Sequence, residues 1–175
     1  MNSLIYFAII NITICQSCQT VYTFPVIGAI DQSKQPNSFD AKDLPDLYMT
    51  LAISYFSTHE IEKANDAFAN ALKEEKDKSG FHATLVLFWW GDYLKDNGQK
   101  QLSPKVWNQA FKQASALPPE KRGTLLADLL QMAAYDKGGC GQEKESKLYF
   151  EKSANEIKLQ KKINSKLGPD FFSRM

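Results

Sequence analysis

At 175 residues the chain is long enough to bury one sizeable core and short enough that one domain is the first expectation. A hydrophobic fraction of 43% and a charged fraction of 23% are ordinary for a globular protein, and a formal net charge of +1 leaves no basic surplus to neutralise a nucleic-acid backbone. Nucleic acid is therefore excluded as an expected partner, and three cysteines are too few to read as a disulfide scaffold.

The first element is the apolar run Leu4–Ile14 (LIYFAIINITI), which is too short to span a bilayer as a mature helix but has the length of a secretory leader's core. No Lys or Arg precedes it, and none follows until Lys34. The alternative is a buried N-terminal strand or helix. Residues 1–18 are thus expected to be a leader, which places the chain outside the cytoplasm. Cys15 and Cys18 lie in or beside that segment and leave Cys140 as the thiol of the mature chain. If the leader is retained, a Cys18–Cys140 bridge stays open. From residue 19 to 42 the sequence mixes Pro25, Gly28, Pro36 and polar residues without helical periodicity, as an extended tether does.

The pattern then becomes helical. Asp43 is placed to cap a helix with Pro45 in its first turn, and Leu44, Leu47, Tyr48, Leu51, Ala52 and Tyr55 recur at three-and-four spacing. Ser57 and Glu60 have the spacing of a capping box for a second helix, whose face is Ile61, Ala64, Phe68, Ala71 and Leu72. A third helix is expected from about Ser79 to Asp96, stopped by Asn97-Gly98, and a fourth begins at Ser103-Pro104 as cap and first turn and ends at Pro118-Pro119. A fifth carries Leu125, Leu126, Leu129, Leu130, Ala133 and Ala134 to a stop at Gly138-Gly139, and a sixth from about Gln142 places Leu148, Tyr149, Ala154 and Ile157 among charges. Its basic end breaks at Gly168-Pro169, leaving residues 164–175 as a tail with Phe171 and Phe172. No segment of the body reads as a strand.

Six helices at regular intervals call for a repeat test. Tyr48, Leu51, Ala52 and Tyr55, followed by Ala64, Phe68 and Ala71, resemble the tetratricopeptide pattern of aromatic, Leu, Gly/Ala and Tyr before Ala-x3-Phe-x2-Ala. Trp90, Gly91 and Leu94, then Trp107, Phe111, Ala114 and Pro119, are a looser second copy with about four extra turn residues, GQKQ. Ser146, Phe150 and Ser153 keep the later spacing of a third with serine in place of both alanines. The resemblance implies an all-α fold over residues 43–163: three antiparallel hairpins stacked as a short right-handed superhelix. Cys18 after Ser17 also resembles a bacterial lipoprotein cleavage site with Cys18 as the lipidated residue, although the position three before it is Cys15 where that family has an aliphatic residue. That resemblance implies a periplasmic or membrane-anchored protein, held to the membrane through its N-terminus.

Function follows the same resemblance. Tetratricopeptide proteins bind peptides or partner helices in a concave groove lined by the first helix of each hairpin. The corresponding positions are Asp46, Met49, Ile53 and Phe56 on the first hairpin, and Leu85, Phe88, Asp92 and Lys95 on the second. The expected partner is a protein or peptide, and Met49, Ile53, Phe56 and Phe88 would form an apolar patch unless the chain's own termini fill the groove. Phe88-Trp89-Trp90 cannot all face one core, since consecutive helical residues point in different directions. The competing reading is a compact secreted inhibitor presenting the loop Gly138–Gly141. A thiol enzyme using Cys140 is a third reading, but no histidine stands near it in sequence to act as base. His59 and His82 have no Cys or carboxylate at ligand spacing, so no metal, cofactor or catalytic role is expected.

Overall fold

The structure is a computed structural model that describes residues 27, 29–31 and 44–167. The leader, most of the tether, the cap Asp43, the lipidation candidate Cys18, Gly168-Pro169 and Phe171-Phe172 lie outside the described residues. Described residues before Leu44 are helical, and then come α1 (Leu44–Ser57), α2 (Ile61–Glu74), α3 (Phe81–Asp96), α4 (Ser103–Ala116), the short α5 (Pro119–Arg122), α6 (Leu125–Gly139) and α7 (Glu143–Leu167). No strand occurs among the described residues. None of their helices is long and apolar enough to cross a membrane.

The first helix of each expected hairpin ends in the same turn. At the end of α1, the N–H of Glu60 donates to Tyr55 C=O and that of His59 to Phe56 C=O, with His59 left-handed at φ 61°. After α3 the same pair is Gln99 to Leu94 and Gly98 to Lys95, with Gly98 at φ 75°; after α6 it is Gln142 to Lys137 and Gly141 to Gly138, with Gly141 at φ 75°. This double bond around one left-handed residue is the Schellman motif, which satisfies helix-end carbonyls and reverses the chain.

Sequence expectations about the turns after α1 and α6 change. The Ser57/Glu60 capping box does not form: Ser57 is the last residue of α1 and its hydroxyl donates to Ser54 C=O at 2.7 Å, while Glu60 has no side-chain bond to the α2 amides and accepts from Thr58. The stop at Gly138-Gly139 moves to Gly141, since both earlier glycines remain helical. Gly138 is there for proximity instead, because a Cβ on it would stand 3.2 Å from Ser146 Oγ.

The chain forms two compact units, whose boundary passes through α3: Met1–Lys78 with Trp89–Ser103, and Ser79–Phe88 with Pro104–Met175. In the first unit α1 and α2 pack as a hairpin, with Ala52, Ala64, Ala71 and Phe68 fully buried between them. Small residues let the two backbones approach, and the large ring fills the space that remains. Phe68 stacks on Trp90 with centroids 5.9 Å apart, and the indole N–H of Trp90 donates to Asn65 Oδ1 at 2.8 Å. Trp89 instead leans on Tyr93, so these two neighbouring indoles serve different contacts. The hydroxyl of Ser103, expected as a cap, donates to the carbonyl of Gly91 at 2.8 Å in a buried contact.

In the second unit α6 and α7 form an antiparallel hairpin with polar links inside it. Ser146 donates to Ala134 C=O at 2.8 Å and Ser153 to Ala127 C=O at 2.9 Å, so the two serines at alanine positions stay small and bring their own hydrogen-bond partners. Gln160 continues this stripe by donating to Pro119 C=O at 3.0 Å, and Glu156 takes Arg122 in two 2.8 Å bonds. Through these contacts α5 is held against α7. Thr84 lies 2.8 Å from Gly80 C=O and 3.2 Å from Gln113 Oε1, tying the start of α3 to α4 within this unit.

Candidate binding site

On α1 the residues expected to line a groove do not form an open apolar face. Met49 is only 4% exposed and Phe56 only 2%, so both belong to the core, against the expectation of an accessible patch. The physical reason is visible at Phe56, whose ring stacks on Tyr93 at 5.5 Å and tilts against Phe68 at 6.0 Å. Asp46 and Ile53, on the same helix, are half-buried. On α3, Asp92 is half-buried and Lys95 exposed. Burial raises the pKa of Asp92 above the ordinary carboxylate value and the Asp96 charge adds to this, while Lys95 opposes both. Burial likewise raises the neighbouring Tyr93, and Asp92 and Asp96 add to it. Leu85 and Phe88 are half-buried and belong to the other unit.

The second unit holds a cleft of about 250 Å³ among α4, α6 and α7. It is lined by buried Leu129, by half-buried Trp107, Phe111, Met132 and Tyr149, and by exposed Asn108 and Asp136. Lys137 reaches the same wall and is held by Glu145 at 3.2 Å, a hydrogen bond and charge that raise its pKa. This volume is below the roughly 300–1,000 Å³ of sites that enclose a whole small-molecule ligand, and it suits one or two side chains. An apolar floor with a polar rim is the anatomy of an anchor pocket at a protein interface.

Sequence reasoning missed this cleft because Trp107 and Phe111 read as the inner side of one hairpin, and Met132 carried no signal of its own. The cleft exists only where α4 meets the hairpin of α6 and α7. Cys140 is exposed just beyond the last turn of α6 and is not among the residues of the cleft, and the loop expected over Gly138–Gly141 is shortened because Gly138 and Gly139 are helical. Among the described residues, no group of three or more His, Cys, Asp or Glu is arranged to hold a metal ion. Comparison with known protein families, curated proteins and solved structures finds no match to this chain.

Proposed function

We propose that the protein is a helical-repeat interaction module of tetratricopeptide type, which binds a protein partner by taking one of its apolar side chains into the cleft among α4, α6 and α7. The observation that carries this reading is the cleft itself: a pocket of about 250 Å³ lined by Trp107, Phe111, Met132 and Leu129, with exposed Asn108 and Asp136. Trp and Tyr are over-represented among residues that dominate binding energy, and Met adapts its shape to what it meets. Recurrence of one turn after α1, α3 and α6, and small buried residues at Ala52, Ala64, Ser146 and Ser153, support the repeat reading. The exported address rests on the run Leu4–Ile14 and is part of the same proposal.

Selection from a random peptide library on the full chain tests it. The expected ligands share one large apolar residue, and Met132→Lys weakens them by about thirtyfold or more, the loss of roughly 2 kcal/mol or more that truncating a buried anchor costs. Peptides without an apolar anchor, or binding indifferent to Met132→Lys, would discard the cleft as the site. Polar changes at Met49 or Phe56 are unsuitable as controls, because both are core residues.

A further inference from the structure

The buried stripe of helix α7 is polar, and leucines stand among the lysines of its exposed side. Ser146, Ser153, Glu156 and Gln160 form its buried stripe, whereas Leu148 is 49% and Leu159 38% exposed. At three-and-four spacing, Lys144, Leu148, Lys152, Leu159, Lys162 and Lys166 fall on one side of the helix, with Asn155 completing the run, and all four of these lysines are exposed. The helix holds seven lysines against four glutamates. Two of those glutamates are engaged, Glu156 by Arg122 and Glu145 by Lys137. The positive charge of α7 is thus concentrated on its outer surface, beside two leucines that an ordinary solvated face would not carry.

Three features select the partner. The face of a single helix is convex, so it fits a broad flat acceptor better than a peptide that must be enclosed. It extends roughly 33 Å from Lys144 to Lys166 at the α-helical rise. Its cations are all lysine, with no arginine in the helix, so it offers mobile point charges without the planar fork that selects individual carboxylates or phosphates. We infer that this face of α7 docks on an anionic lipid bilayer, with Leu148 and Leu159 entering the headgroup region and the lysines lying on negatively charged headgroups. The proposal is independent of the cleft and of the N-terminal run.

Vesicle sedimentation of the full chain tests it, using phosphatidylcholine alone and phosphatidylcholine with roughly a third phosphatidylglycerol. The apolar run Leu4–Ile14 would favour both membranes alike, so the readout is the ratio of anionic to neutral partitioning. That ratio is expected to exceed about tenfold and to fall steeply as salt rises from about 50 to about 300 mM. Lys152, Lys162 and Lys166 changed together to Gln should bring it close to one, while Arg at the same positions should keep it. Leu148 and Leu159 changed to Ser should weaken anionic binding by about tenfold. All these side chains are exposed, so helical circular dichroism should not move. A native chain without anionic preference, or a Lys→Gln variant as effective as the native chain, overturns the proposal. So does a soluble poly-glutamate that binds the native chain as tightly as anionic vesicles do, since the face would then belong to an acidic protein.

Discussion

The hydroxyl of Ser153 donates a 2.9 Å hydrogen bond to the carbonyl of Ala127, inside the seam between α6 and α7, where Ser153 is 1% exposed. Ser146 makes the same link to Ala134 one stretch earlier on α7. Ser153→Ala removes one hydrogen bond and keeps the volume, so it should lower stability by only about 1 kcal/mol. Ser153→Leu must push the helices apart and should lower it by about 3 kcal/mol or destroy the fold. Equal losses in urea denaturation would show that the seam does not depend on small volume.

The pair Arg122–Glu156 should give the protein an acid-sensitive step. Burial alone would raise the Glu156 carboxyl, but hydrogen bonds from Arg122 and Gln160 and the guanidinium charge outweigh it and hold the pKa below its ordinary 4.5. A lowered folded-state pKa stabilises above the unfolded value and loses that stabilisation as pH falls through the folded one. The melting temperature should therefore drop as pH is taken below about 4.5, and Glu156→Gln should flatten that drop. Removing the carboxylate altogether with Glu156→Ala leaves the guanidinium buried and should cost about 3 kcal/mol at neutral pH. A pH profile of Glu156→Gln with the native slope would remove the pair from this role.

Three glycines at the α6–α7 turn should respond differently to alanine. Gly141 has φ 75°, so Gly141→Ala should destabilise by about 1 kcal/mol. Gly139 is helical with open space around its Cβ position, so Gly139→Ala should stabilise by about 0.5 kcal/mol. At Gly138 the new Cβ meets Ser146 Oγ at 3.2 Å, and the helical gain should be cancelled or reversed. The equivalent of Gly141 after α1 is His59 at φ 61°, where His59→Gly should raise stability by about 0.5 kcal/mol. Thermal melts of the four variants give the order directly.

Asp92 should limit stability at neutral pH. Its folded-state pKa lies above the ordinary 3.8, chiefly through burial and then through Asp96. For a raised carboxyl the favourable contribution is present below the unfolded pKa and is lost as pH rises through the folded one. Asp92→Asn should raise the melting temperature near pH 7 and change it little near pH 3.

The helices were legible from residue order alone because their signals are local. Apolar spacing placed α1 to α4 and α6 within a few residues, and Asn97-Gly98 and Pro118-Pro119 marked true ends. The close-approach positions Ala52, Ala64 and Ala71 were also readable, since a small residue at fixed spacing beside Phe68 has few other uses. Which apolar residues remain accessible was not. Met49 and Phe56 share α1 with half-buried Ile53, and only the rings of Tyr93 and Phe68 decide that Phe56 is core. The buried polar stripe of α7 escaped the same pattern rule, because a buried serine or glutamine is distinguished from a surface one only by the carbonyl it reaches on another helix. Periodicity along one chain thus determined where helices begin and end. Exposure, the cleft among α4, α6 and α7, and the polar seam were decided by tertiary structure, since each depends on atoms brought together from distant parts of the sequence.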